Sequence, residues 1–369
     1  MKIKDEYDYL IHLIYCAIHK IPPQELPKKL SFEKVFLFAK KHEVANFAYL
    51  SVEKLQNKPD DKLLDLWKQE YWKGVRRDAL QNNARDEILC ALHNNCIYTL
   101  EVQGTAVKQY YPKSHLRMMS DIDIIVPKEE FSKLEKIMLD LGYVTENIKD
   151  AEIVAHKGAI HVELHTDFFA KDMPTYPALN TPFDYVTLND DYTANVSDTT
   201  FYLFHLLHTI KHALHAGVGI RRIIDLYYLE NVMQNKADLQ YIDSVLEEYG
   251  FLETKEKLIA IKNKWFCNNT PSIDIKSLEK DIKFAETHGK QTLYVKNDLK
   301  REKEQGKRFV KLRHLFSQIF LSKQDCYEAF PFCKKHHYPI VLCFFHRAIC
   351  IIFNPKRWKN IKEVFERLK

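Results

Sequence analysis

Residues 117–127 read RMMSDIDIIVP, and they set two aspartates one residue apart at the head of an apolar run. In a strand, residues i and i+2 share a face. Asp121 and Asp123 therefore project together, while Ile122 and Ile124 turn to the other side. Two like charges repel, and both lose hydration if the strand is internal. Either the pair sits at an exposed strand end, or something cationic sits between them. Two carboxylates on one face at a strand edge form a hard-oxygen site suited to Mg²⁺.

The surrounding sequence builds a small α/β unit around this strand. Upstream, CIYTLEV (96–102) is rich in β formers, and Gly104 and Thr105 follow it. A glycine there lets backbone N–H groups approach a phosphate closely, and a neighbouring hydroxyl adds a donor. Downstream, Pro127 ends the strand because proline cannot donate to a ladder. KEEFSKLEKIMLDLGY then predicts a helix, with Phe131, Leu134, Ile137, Met138 and Leu141 on one face and Gly142 at its end. IHVELHTDFF predicts a third strand, with Ile160, Val162 and Leu164 on one face and His161, Glu163 and His165 on the other. Glu163 is thus a third carboxylate aimed away from the apolar side. Three carboxylates on adjacent strands after a Gly-Thr turn describe a two-metal phosphoryl-transfer site. The plainer reading of a D-x-D alone is an exposed strand end or a turn.

The rest of the chain is helical in pattern. With 369 residues it is long for one domain, and only nine glycines accompany abundant leucine, lysine and glutamate. The expected class is α+β: a small mixed sheet between helical regions, predominantly helical overall. The expected boundaries are 1–95 for an N-terminal helical region, 96–190 for the α/β core and 191–369 for a C-terminal helical domain. Ser31 caps the helical pattern that begins at Phe32. Hydrophobic residues make up 46% and charged residues 28%, which excludes a disordered chain. A net charge of +5 demands no nucleic-acid partner.

The start of the chain lacks a cleavage signal, and its eight scattered cysteines include no C-x-x-C pair, so reduced thiols and a cytoplasmic location are expected. Cys326 and Cys333 lie near His336 and His337, but in no zinc-finger spacing. The apolar run PIVLCFFHRAICIIF (339–353) is shorter than the ~20 residues of a membrane span. It reads as a core helix, or, with the basic segment after it, as a weak membrane-surface contact.

Four histidines, His205, His208, His212 and His215, fall within an arc of about 80° on a helix that also carries Lys211. Three readings stay open: a face that closes over a ligand, a metal pair at His208 and His212, or a half-buried packing face. Asp225, after Arg221 and Arg222, is expected to pair with an imidazole or an arginine. His161 and His165 flank Glu163 and are expected to support it.

The order Gly104-Thr105, then Asp121-Ile122-Asp123, then Glu163 resembles the DNA polymerase β-like nucleotidyltransferase superfamily. EVQGTAVKQYYP, RMMSDIDIIVP, HVELH and FHLLHTIKHALHAGVGIRRIIDL resemble more closely the bacterial family labelled "uncharacterised nucleotidyltransferase". In that family a lysine often precedes the turn glycine; here the residue is Gln103. The resemblance implies transfer of NMP from an NTP to an acceptor hydroxyl with release of pyrophosphate, the acceptor being a small molecule, protein or RNA. It implies Mg²⁺ (or Mn²⁺) held by Asp121, Asp123 and Glu163, one ion gripping the triphosphate and one activating the acceptor. It assigns nucleotide contacts to Gly104 and Thr105, and Lys108, Arg117, Lys211, His208 and His212 are candidates to join them. For Lys108 and Arg117 a solvated surface position is the plainer expectation. Two rival readings are an inactive nucleotide-binding or scaffold protein with the same fold, and a nucleotidyltransferase toxin acting on tRNA. Loss of activity on Asp121→Ala discriminates the first, and growth arrest rescued by Asp123→Ala the second.

Overall fold

A computed structural model describes residues 3–148, 152–171, 173–215, 217–285 and Asn297. The chain divides into two units, Met1–Lys211 with Val218–Thr287, and His212–Gly217 with His288–Lys369. The elements that follow build the first, the last residues of one helix excepted. The segments 286–308 and 339–369, and the Cys326–His337 group, lie outside the described residues, Asn297 aside.

Four helices come first: α1 (Glu6–His19), α2 (Phe32–Lys41), α3 (Ala45–Val52) and α4 (Asp61–Asn94). Ser31 caps α2 as its sequence predicts, its hydroxyl accepting from the Lys34 amide. The helical pattern from Phe32 breaks between α2 and α3 at Glu43, which takes a φ of 51°. The core then runs β1 (Leu100–Glu101), α5 (Gln103–Val107), β2 (Ile122–Ile125), α6 (Phe131–Asp140), β3 (Val144–Ile148), β4 (Glu152–Lys157) and β5 (Ile160–His165). A small hairpin, β6 (Val186–Leu188) and β7 (Ala194–Val196), precedes α7 (Asp198–Leu214). The remaining described helices are α8 (Ile220–Met233), α9 (Leu239–Glu248), α10 (Leu252–Phe266) and α11 (Lys276–Ala285). The mixed α+β class expected from the sequence is what forms.

The five-stranded sheet has the order β1-β2-β5-β4-β3. β2 and β5 lie parallel, and the other neighbours antiparallel. Two of these strands, β3 and β4, are additions to the three the sequence suggests. β4 turns into β5 through Gly158 and Ala159, Gly158 taking a φ of +62° that favours glycine. The first strand is shorter than expected, because Thr99 leaves the sheet to bridge Thr193 beside the β6–β7 hairpin.

Through the two central strands, β2 and β5, one face of the sheet is apolar. Ile122 and Ile124 of β2 and Val162 and Leu164 of β5 pack with Ile88 and Leu92 of α4 and with Leu134 and Met138 of α6. All four β-sheet residues are completely buried, and at about 25 cal/mol per Å² this burial sets the register of both strands. A one-residue slip would drive Asp123 and Glu163 into this layer. The opposite face is left for the charged residues.

Candidate active site

Parallel pairing sets Asp123 directly beside Glu163, and Ile125 beside His165. The side chains of Asp123, Glu163 and His165 therefore converge on the polar face. Each offers one ligand atom, and these atoms all lie within 4.8 Å of one another. His165 Nε2 lies 3.4 Å from Asp123 Oδ1 and 3.5 Å from Glu163 Oε2, and His161 Nε2 lies 3.3 Å from Glu163 Oε1. Asp121 stands just before β2, half-buried, with its charge acting on Asp123 and Arg117.

The two aspartates of the D-x-D thus occupy different environments. Asp123 is only 2% exposed rather than at an open strand end. Burial pushes its carboxyl up to about 6, with the Asp121 and Glu163 charges adding to the rise and His165 opposing it. Gln103 Nε2 donates to Asp123 Oδ1 at 2.8 Å, and Gln103 does so from a left-handed backbone, φ 51°. A non-glycine residue held there stores strain of order 1 kcal/mol, a feature that clusters at functional sites. Glu163 is held below the usual carboxylate range, chiefly by His165. Burial works against charging His165, but Asp123 and Glu163 outweigh it and raise the imidazole to about 10. Within the site the Asp123 carboxylate thus faces the His165 imidazole and accepts from the Gln103 amide. Of the three residues expected from sequence to ligate metal, the structure brings Asp123 and Glu163 together, with His165 as the third converging donor, while Asp121 stands outside that group.

The approach to β2 is fixed from the helices. The irregular segment before Asp121 runs through the interior, where each backbone carbonyl needs a donor. Asn46 Nδ2 donates to the carbonyls of His115 (2.7 Å) and Leu116 (3.2 Å). Arg221 Nη1 donates to Met118 O at 2.6 Å, Gln81 Nε2 to Met119 O at 3.3 Å, and Arg77 Nη2 to Ser120 O at 3.2 Å. Helices α3, α4 and α8 thereby position the D-x-D.

Gly104 and Thr105 open α5, and both are buried. The Thr105 hydroxyl has no hydrogen-bond partner. A Cβ on Gly104 would come within 2.6 Å of Arg117 Nη1 and 2.8 Å of Met119 Sδ, so close approach explains the glycine. Lys108 and Arg117 are not the solvated residues their type suggests. Lys108 is buried and binds Asp78 at 3.1 Å and Asn82. Arg117 is buried on Asp225, the arginine partner that the sequence left open.

On α7, His205 and His208 are buried among aromatic rings: His205 packs on Phe201 and Phe204, and His208 lies near Phe204 and Phe169. Burial drives His205 down to about 3, so it is neutral. Both rings thus pack against aromatic side chains. His212 and His215 belong to the second unit. Lys211 lies 5.8 Å over the Phe169 ring. Burial and the Arg222 charge lower its amine to about 8, while Asp123, Glu163 and Glu152 act on it in the opposite sense. The site thus pairs carboxylates with a lysine in electrostatic reach.

A five-stranded mixed sheet bearing paired carboxylates on β2 and β5, behind a glycine turn, defines a nucleotidyltransferase-type core. Residues 28–267, well over half of the chain, match the family model described as "uncharacterised nucleotidyltransferase", and the chain belongs to that family. Among curated proteins there is no match. A solved structure that matches is the solution structure of the antibiotic-resistance factor ANT(2'')-Ia, at 13% identity and a TM-score of 0.35, covering 51% of this chain and 97% of that one. No helix among the described residues is long and apolar enough to cross a membrane.

Proposed function

We propose that this chain is a metal-dependent nucleotidyltransferase that transfers NMP from an NTP to an acceptor hydroxyl and releases pyrophosphate. The observation that carries this reading is the convergence of Asp123, Glu163 and His165 donor atoms within 4.8 Å, with Asp121 two positions before Asp123 and an apolar core on the other side of the sheet. The donor set fits a divalent cation: carboxylate oxygens suit Mg²⁺ and Mn²⁺, and the His165 imidazole, by releasing its proton as the cation binds, would add a nitrogen that favours Mn²⁺ further. Asp121, Asp123 and Glu163 would hold it, with His165 beside them. A divalent ion there supplies charge stabilisation for the transferring phosphoryl group and lowers the pKa of an attacking hydroxyl.

The chain's own residues do the rest. Gln103 fixes the orientation of the Asp123 carboxylate through its 2.8 Å bond. Thr105 brings a buried hydroxyl without a partner to the phosphate-facing turn. Lys211, in electrostatic reach of Asp123 and Glu163, neutralises phosphate charge. Glu163, kept ionised by His165, either completes the cation's ligand set or accepts the acceptor's proton.

The test is pyrophosphate release from each of the four NTPs with Mg²⁺, with water or cell-extract fractions as the hydroxyl source. The expected result is release with at least one NTP that falls at least a hundredfold in Asp123→Asn. Release that survives unchanged in the variant overturns the assignment.

A further inference from the structure

Arg117 is 6% exposed and two of its three nitrogens are committed. Its Nε donates to Asp225 Oδ1 at 2.8 Å, and its Nη2 to Asp225 Oδ2 at 2.8 Å. The Tyr111 hydroxyl adds a third bond to Asp225 Oδ1 at 2.6 Å. Burial alone would raise the Asp225 carboxyl; the Arg117 charge and these bonds hold it below the usual range. The guanidinium is therefore fixed in a bidentate fork, its charge already matched.

The third nitrogen, Nη1, takes no part in the fork. It faces Gly104, standing 2.6 Å from the place a Cβ would occupy. The guanidinium thus backs the turn that carries Thr105 and lies one residue past Gln103, the donor to Asp123. Asp225 sits on α8, one helical turn after Arg221, which holds the Met118 carbonyl. The same helix face therefore grips the chain at 117 and at 118, just ahead of Asp121. A simple tie between helix and core would account for a buried arginine. It would not account for a nitrogen pressed against a residue that has no room for a side chain.

We propose that Asp225 is a positioning residue: through Arg117 it sets the Gly104–Thr105 turn at the place where the β- and γ-phosphates of the nucleotide are received. This rests on the proposed nucleotidyl transfer. It also moves Arg117 from a phosphate ligand to a support behind the turn. The consequence is selective, because phosphates beyond the first depend on the turn, whereas the base, sugar and α-phosphate do not.

The experiment is calorimetric binding of each NTP and its matching NMP, with Mg²⁺, to the full chain and to two variants. Asp225→Asn weakens the fork. The double variant Arg117→Met/Asp225→Leu removes both charges, so that no unpaired ion is left inside to prevent folding. The expected result is at least a tenfold loss of NTP affinity in both variants, with NMP affinity within twofold of the parent chain. NTP affinity within twofold of the parent would overturn the proposal and leave the pair as a structural tie. Parallel loss of NTP and NMP would overturn it too, because a general disturbance does not distinguish phosphate number. If the parent chain binds no NTP, the proposed function itself fails and this inference falls with it.

Discussion

Replacing Gly104 with alanine tests how tightly the turn is packed. The added Cβ would lie 2.6 Å from Arg117 Nη1, 2.8 Å from Met119 Sδ and 3.0 Å from Met119 Cγ. Non-bonded carbon contacts settle near ~3.5 Å or beyond, so the overlap is close to an ångström. Whether it is costly depends on which neighbour can give. Met119 is buried, and Arg117 is pinned by two 2.8 Å bonds to Asp225. Overpacking against neighbours that cannot move costs up to about 3 kcal/mol. Alanine recovers about 1 kcal/mol of helix propensity, since Gly104 lies within α5. The net expectation is a loss of about 2 kcal/mol, or a melting temperature lower by about 3 °C. Urea denaturation followed by circular dichroism reads the first figure, and calorimetry the second. A Gly104→Ala chain as stable as the parent would refute the contact between Arg117 and the turn, and with it the physical reason given for the glycine.

Other perturbations reach different parts of the site. Gln103→Ala removes a donor to a buried carboxylate and costs about 1–2 kcal/mol; it also moves the Asp123 titration upward, which carboxyl NMR reads. Arg117→Met alone strands the Asp225 carboxylate and costs about 3–5 kcal/mol in urea denaturation, whereas adding Asp225→Leu recovers most of that loss. His165 gives a pH signature in the metal-free chain. Its folded pKa of about 10 exceeds the ordinary imidazole value of about 6.5. The stabilisation is therefore complete below about 6.5 and is lost as the pH rises toward about 10. Melting temperatures across that window should fall in the parent chain, and the fall should be smaller in His165→Gln.

Short-range patterns carried much of the fold. The alternation of Ile160–His165 places Val162 and Leu164 in the core and Glu163 outside it, and Gly142 sits where α6 ends, at a φ of +81°. The D-x-D face followed from a period of two, and parallel pairing with β5 supplied the third carboxylate. What the sequence withheld depends on tertiary context. β3 reads VTENI, an edge strand with little apolar content, so its own pattern is faint. The burial of Lys108 and Arg117 could not be inferred, because their partners Asp78 and Asp225 lie 30 and 108 residues away. His165 was visible only as a neighbour of Glu163. Its approach to Asp123 requires the β2–β5 pairing, which no local signal encodes. Gln103, noted as a departure from a common lysine, turns out to hold the buried aspartate.

The measurement that bears most directly on the central claim is calorimetric titration of the full chain with each of the four NTPs, with and without Mg²⁺, beside an Asp121→Ala/Asp123→Ala variant. At least one NTP is expected to bind only when Mg²⁺ is present, and the variant to lose this binding while keeping its circular dichroism spectrum. Binding of an NTP with equal affinity to both proteins, or to the parent chain regardless of Mg²⁺, would contradict a carboxylate-held cation as the centre of the site.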